Sequence, residues 1–222
     1  MGWPIESDYF DTIQNPSSCF TDPELKAGEV ATNPLGLPKS ITGAFASVYQ
    51  LKCHTGRKWA VRCFLREIHD QQTRYTAISD ELNTVKLPYM VGFDYLRQGI
   101  FWNRGWYPIL KMEWLEGIPL DRYIERNLFQ PQNIQALTKQ WMDMMAALRK
   151  AEIAHGDLQH GNILVCNGAL KLIDYDGMYV PALKGMRSNE QGHRGRCRLP
   201  YLFCKGNWRS KGTGLKGVAV RR

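Results

Sequence analysis

The sequence predicts an α+β protein, a small antiparallel β lobe carrying one helix with a helical segment behind it. Three observations lead there. Residues 46–51 and 59–64 are β-rich runs on either side of His54-Thr55-Gly56-Arg57, the pattern of a hairpin. Tyr75, Ile78, Leu82 and Val85 recur at helical spacing within residues 69–86, and Lys86-Leu87-Pro88 supplies the stop. From Pro131 onward, Ile134, Leu137, Trp141, Met144, Met145 and Leu148 form one stripe of a longer helix. Met and Trp on such a stripe read as core.

The remaining elements fall between and around these. Residues 89–96 and 107–113 read as two further strands about a turn at 99–105, and Pro119 opens a short helix over 120–127. Residues 1–38 hold Pro4, Pro16, Pro23, Pro34 and Pro38 with little periodicity. They read as an extended arm laid on the first lobe through Trp3, Tyr9 and Phe10. There are no internal repeats.

Composition sets limits on this reading. A chain of 222 residues can bury one sizeable core or build two small lobes. No apolar run approaches the roughly 20 residues of a membrane helix. The first residues, Met-Gly-Trp-Pro-Ile-Glu-Ser, lack the basic and apolar regions of a secretory signal, and Glu6 stands where a myristoylation signal wants Ser or Thr. The cytoplasm is the expected compartment. Six cysteines are scattered without a C-x-x-C pair. Cys63 and Cys166 lie in apolar strands as small hydrophobes, and His193, Cys197 and Cys204 lack a fourth partner at a metal-site spacing. The net charge of +8 is uneven: residues 195–222 carry eight of the 29 basic groups and no acid, and the 21 basic groups left match the 21 acids.

The chemistry concentrates between His155 and Gly177. Asp157, Asn162 and Asp174 sit beside short apolar strands, Ile163-Leu164-Val165 and Leu170 to Ile173, with Asn167-Gly168 as the turn between them. Such a hairpin can aim both strand ends into one cleft. An amide and a carboxylate held there suit a hard cation such as Mg²⁺, which keeps nucleotide phosphates among its other oxygen ligands. Asp157, five residues before Asn162, is then free to accept a proton from a hydroxyl. A hairpin with ordinary turn Asp and Asn residues is the bland alternative.

The segment resembles the protein-kinase-like superfamily. His155-Gly156-Asp157-Leu158 stands in place of His-Arg-Asp-Leu, and Asp174-Tyr175-Asp176-Gly177 in place of Asp-Phe-Gly. The His-Gly-Asp form is also similar to small-molecule kinases such as the aminoglycoside phosphotransferases. The resemblance implies a two-lobed protein-kinase-like fold of the α+β class, a small antiparallel β lobe with one helix plus an incomplete helical C-lobe. It implies ATP and Mg²⁺ as cofactors, with Asp157 as the catalytic base. Asn162 and Asp174 would hold metal, with Asp176 as an extra ligand or an acceptor behind them. Nucleotide contacts would come from Gly43, Ala46 and Val48 of the Gly-rich loop, Ala60 and Arg62 of the next strand, and the hinge. There Met112 is the gatekeeper, and Glu113 and Leu115 offer backbone to adenine.

Several positions depart from the family pattern. Ile41 and Ala46 replace glycines of the loop, which could equally be a plain β-turn. Arg62 stands where lysine grips phosphate; it keeps the charge but is no interchangeable substitute, and a surface arginine is its alternative reading. The helix glutamate that should face it is equally unsettled, with Tyr75 or Ile78 nearest its place and Asp80 and Glu81 only neighbours. Gln159 replaces a lysine that steadies the γ-phosphate.

The resulting division is an arm at 1–38, a kinase-like N-lobe at 39–114, a partial C-lobe at 115–194, and a basic, disordered tail at 195–222. The resemblance stops near residue 185, which reads as a C-terminus truncated or altered relative to a full kinase domain; a functional basic tail is the other reading. The expected function is ATP-dependent phosphoryl transfer to Ser/Thr hydroxyls of proteins. Its rivals are a pseudokinase serving as a nucleotide-binding module and a small-molecule kinase. A protein or small-molecule phosphoacceptor is the expected partner, without membrane, and with nucleic acid only as a weak contact of the tail.

Overall fold

The computed structural model describes residues 2–186. The basic tail, residues 187–194 of the partial C-lobe, and His193, Cys197 and Cys204 lie outside the described residues.

The β lobe is one six-stranded antiparallel sheet. Its strands are β1 (Gly28–Val30), β2 (Ser40–Thr42), β3 (Ala46–Cys53), β4 (Lys58–Phe64), β5 (Phe93–Trp102) and β6 (Gly105–Glu113). The order is β1-β3-β4-β6-β5, and β2 also pairs with β3. The β3–β4 hairpin turns where the sequence placed it: Cys53 N–H donates to Arg57 O at 2.8 Å, and Gly56 takes φ +83°.

The second hairpin differs from expectation. Its strand begins at Phe93 rather than 89 and runs through Gly99 to Trp102, and the turn is only Asn103 and Arg104, at φ 44° and 65°. Two left-handed residues in succession fit the twist of the flanking strands. Gly99 is not a turn residue. It sits at a register shift between Leu96 and Ile100, where an added Cβ would lie 2.2 Å from Ile109 Cγ1. A glycine that admits a neighbour looks, in sequence, like a glycine that turns the chain.

The expected extended arm is corrected. Residues 6–26 form three short helices, α1 (Glu6–Thr12), α2 (Pro16–Cys19) and α3 (Pro23–Lys26), and the chain then enters the sheet as β1, inside the expected arm. Pro16 and Pro23 open helices, positions where their missing N–H costs nothing. Tyr9, Ile13, Cys19, Phe20 and Leu25 pack with Tyr49, Leu51, Val61, Cys63, Ile100 and Ile109 in a core on the outer face of the sheet. Trp3 Nε1 and Tyr9 Oη both donate to Phe64 O, at 2.6 and 2.8 Å, so the arm clasps the end of β4. Phe10 is only half-buried. Lys111, 4% exposed, is held on this face by Asp22 and Glu24 at 2.9 and 2.7 Å, over the Trp59 ring.

The inner face carries the second core. Helix α4 (Gln71–Val85) buries Tyr75, Ile78 and Leu82 against Phe64, Phe93 and Leu110. The same cluster continues into α5 (Leu120–Asn127), α6 (Pro131–Lys150) and a three-stranded sheet of β7 (Ile118–Pro119), β8 (Ile163–Cys166) and β9 (Ala169–Leu172). Leu137, Met144 and Leu148 are the buried stripe of α6, with Trp141 and Met145 packed beside them. The expected α+β architecture, an antiparallel lobe with one inner helix and a helical lobe behind it, is thus present. Among the described residues no helix is long and apolar enough to cross a membrane.

Candidate active site

The loop after α6 is fastened from behind. Ala154 and Tyr179 exchange backbone bonds of 3.0 and 2.7 Å, tying the loop to the segment beyond Asp176. His155, 1% exposed, donates from Nε2 to Ile173 O at 3.0 Å. Burial lowers its pKa, partly offset by that carbonyl and by the nearby carboxylates of Asp174 and Asp157. Gly156 follows at φ +82°, and a Cβ there would lie 2.1 Å from Gly177 O. The two loops cross so closely that only glycine fits, a physical reason for His-Gly-Asp in this chain.

Asp157 is then oriented from two sides. Asn162 Nδ2 donates to Asp157 Oδ2 at 3.1 Å and to its backbone O at 3.0 Å, and Gln159 Nε2 donates to Oδ2 at 3.0 Å. Gln159, read as a lost lysine, is a positioner of this carboxylate. Asn162 O accepts from Ile173 N at 3.0 Å, which sets Asn162 beside the turn that carries Asp174. The β8–β9 hairpin makes this juxtaposition through Asn167 and Gly168, both at positive φ.

Asp174 itself is left-handed, at φ 65°. Its Oδ1 accepts from Arg62 Nη1 at 2.8 Å, while Arg62 Nη2 bonds Asp176 Oδ2. Burial of Arg62 acts against its charge, but the Asp176 and Asp174 carboxylates outweigh it and raise its pKa. Arg62 is therefore no loose surface arginine. Asp176 Oδ1 accepts from Tyr75 Oη at 2.5 Å, and burial followed by this carboxylate raises the tyrosine's pKa well above its ordinary value. Arg74 donates to the backbone oxygens of Asp176 and Met178, at 3.0 and 2.5 Å. Sequence reasoning missed Arg74, whose one signal was a charge next to the buried stripe of α4. Tyr175 fixes the turn from below, its hydroxyl donating to Leu172 O at 2.8 Å and accepting from Val91 N at 2.8 Å.

The sheet face above this cluster holds the other predicted contacts. Directly paired residues share a face, and the pairs Ala46–Phe64, Val48–Arg62 and Ala60–Met112 bring Ala46, Val48, Ala60, Arg62 and Met112 onto the inner one. Glu113 closes β6, and Trp114 N–H donates to Lys58 O at 3.0 Å, so the chain leaves the sheet at Leu115. Gly43 N–H donates to Ala46 O at 2.9 Å, closing a tight turn between β2 and β3. That amide is spent inside the turn.

The structure thus gathers an oriented Asp157, an amide and a carboxylate across a hairpin, and a largely buried guanidinium on the strand above. The model of the protein kinase domain family matches residues 41–181, well over half of the chain. No curated protein matches it. With strands β3 to β6, the catalytic-type loop and the acidic turn all inside the matched span, this chain belongs to the protein kinase domain family.

Proposed function

We propose that the chain binds ATP with Mg²⁺ and transfers the γ-phosphoryl group to a hydroxyl, that of Ser or Thr in a protein. The observation that carries this reading is Asp157, whose Oδ2 is held by Asn162 and Gln159 at 3.1 and 3.0 Å on the loop joined to the Asp174 turn. An oriented carboxylate at that place can accept the hydroxyl proton as the oxygen attacks phosphorus. The donor set suits Mg²⁺. Among the described residues no three His, Cys, Asp or Glu side chains form a protein-only metal site, and Mg²⁺ needs only one or two protein oxygens beside phosphate. Asn162 spends its amide N–H₂ on Asp157, so its Oδ1 and the Asp174 carboxylate are the oxygens that would hold the ion. Bound there, Mg²⁺ would neutralise charge on the β- and γ-phosphates. Arg62 would meet the α- and β-phosphates, and Val48, Ala60 and Met112 would line the base with the backbone of Glu113 and Leu115.

A second reading is a nucleotide-binding pseudokinase. It is favoured by Arg62, whose fork is already occupied by two carboxylates. One experiment separates the two. ATP with Mg²⁺ should raise the melting temperature, and Asp174→Ala should remove the magnesium-dependent part. Asp157→Ala should abolish phosphate transfer to a generic protein acceptor while leaving ATP binding nearly intact, because its contribution lies in the transition state. Binding without transfer by wild type would hand the chain to the pseudokinase reading, and equal transfer by wild type and Asp157→Ala would remove Asp157 from the reaction. Transfer to an aminocyclitol but to no protein would move the acceptor to small molecules.

A further inference from the structure

We propose that Asp176 is a positioning residue: it supplies, from the acidic turn itself, the carboxylate that holds the phosphate-binding Arg62, and it is not a metal ligand. The inference rests on the nucleotide-site reading above. Helix α4 offers Arg62 no acid. Its buried face is Gln71, Tyr75, Ile78 and Leu82, while Asp80 and Glu81 line a surface hollow with Gln72, Thr73 and Thr76. The partner comes instead from 114 residues along the chain, where Asp176 Oδ2 meets Arg62 Nη2.

Both oxygens of Asp176 are engaged. Oδ1 takes the Tyr75 hydroxyl at 2.5 Å, so α4 reaches the guanidinium through a tyrosine and the turn's own carboxylate. Arg74 holds the backbone of the same residue at 3.0 Å. Asp174 is tied differently: it accepts from Arg62 through one oxygen, Oδ1, at 2.8 Å. A cation drawn to Asp174 would compete with one bond to Arg62, and Asp176 would keep the fork in place. Division of labour follows, one acid for metal and one for the arginine.

The test uses a fluorescent ADP titrated into the full chain in MgCl₂ and, separately, in EDTA. Asp176→Asn keeps the size but loses the charge facing Arg62. It should weaken ADP binding about tenfold, by the same factor in both buffers, and should add nothing in an Arg62→Met background. Tyr75→Phe, which leaves the ring packing intact, should weaken binding in the same direction and by less, and it carries the test if Asp176→Asn does not fold. A loss confined to MgCl₂ would make Asp176 a metal ligand and overturn the assignment. So would unchanged binding by Asp176→Asn while wild type binds. Wild-type protein that binds ADP in neither buffer would overturn the nucleotide-site reading, and this inference with it.

Discussion

Gly156 offers the sharpest stability prediction, because its substitution by alanine meets two separate costs. The first is conformational: at φ +82° an L-residue carries a left-handed penalty of about 1–2 kcal/mol. The second is steric: the new Cβ would fall 2.1 Å from Gly177 O and 2.6 Å from Gly177 C, both backbone atoms. Gly177 cannot step aside as a flexible side chain would, since Met178 N–H is bonded to Tyr175 O and Tyr179 to Ala154. Forcing atoms into a filled site costs about 1–3 kcal/mol more. Gly156→Ala should therefore lose roughly 2–5 kcal/mol in urea-monitored unfolding. Gly168 is the internal control. It has nearly the same φ, +81°, but nothing within 4 Å of an added Cβ, so Gly168→Ala should lose only about 1–2 kcal/mol. The excess at 156 isolates the crossing of the two loops. Equal losses at 156 and 168 would refute it, and the glycine of His-Gly-Asp would then owe its place to backbone conformation alone.

Other consequences can be measured on the same protein. Ile13 is fully buried against the outer face of the sheet, so Ile13→Ala should cost about 2–5 kcal/mol in the same unfolding assay; a loss well under 1 kcal/mol would mean the arm is an appendage. His155 has a folded-state pKa below the ordinary value of about 6.5. The unfolded chain therefore takes up the proton first, and stability should be unaffected above that pH, fall as pH drops below about 6.5, and level off once the folded pKa is passed. His155→Asn should flatten this part of a melting-temperature profile between pH 5 and 8, and an unchanged slope would assign the pH dependence to other groups.

What was legible in the sequence was what is written locally. Asn167-Gly168 can do little but turn a hairpin, and both residues have positive φ. The stripe of Leu137, Met144 and Leu148 is a period, and a period survives whatever packs on it. Proline and glycine in the N-terminal half were harder, because each has two uses with the same spelling. Pro16 and Pro23 open helices instead of extending an arm, and Gly99 makes room for Ile109 instead of turning the chain. In both cases the deciding fact is a neighbour far away in sequence. Arg74 was invisible for the same reason, since its acceptors lie 102 and 104 residues downstream.

The departures from the kinase pattern were misleading when taken one at a time. Arginine for lysine at 62, the missing helix glutamate and the extra acid at 176 each look like a loss or an ornament. In space they meet. A lysine ammonium is a single point charge on a flexible stem, whereas a guanidinium presents a rigid fork of donors. Here one arm of the fork bonds Asp174 and the other bonds Asp176. Two carboxylates on one turn would repel each other without a cation between them, and the fork spans them where an ammonium would have to choose. With Asp176 supplying the charge, α4 needs only a neutral hydroxyl at its contact point, and Tyr75 provides it while also filling the core between Phe64, Phe93 and Tyr95. On this reasoning a lysine at 62 is the more damaging change so long as Asp176 is present, since it leaves one of the two acids without its partner.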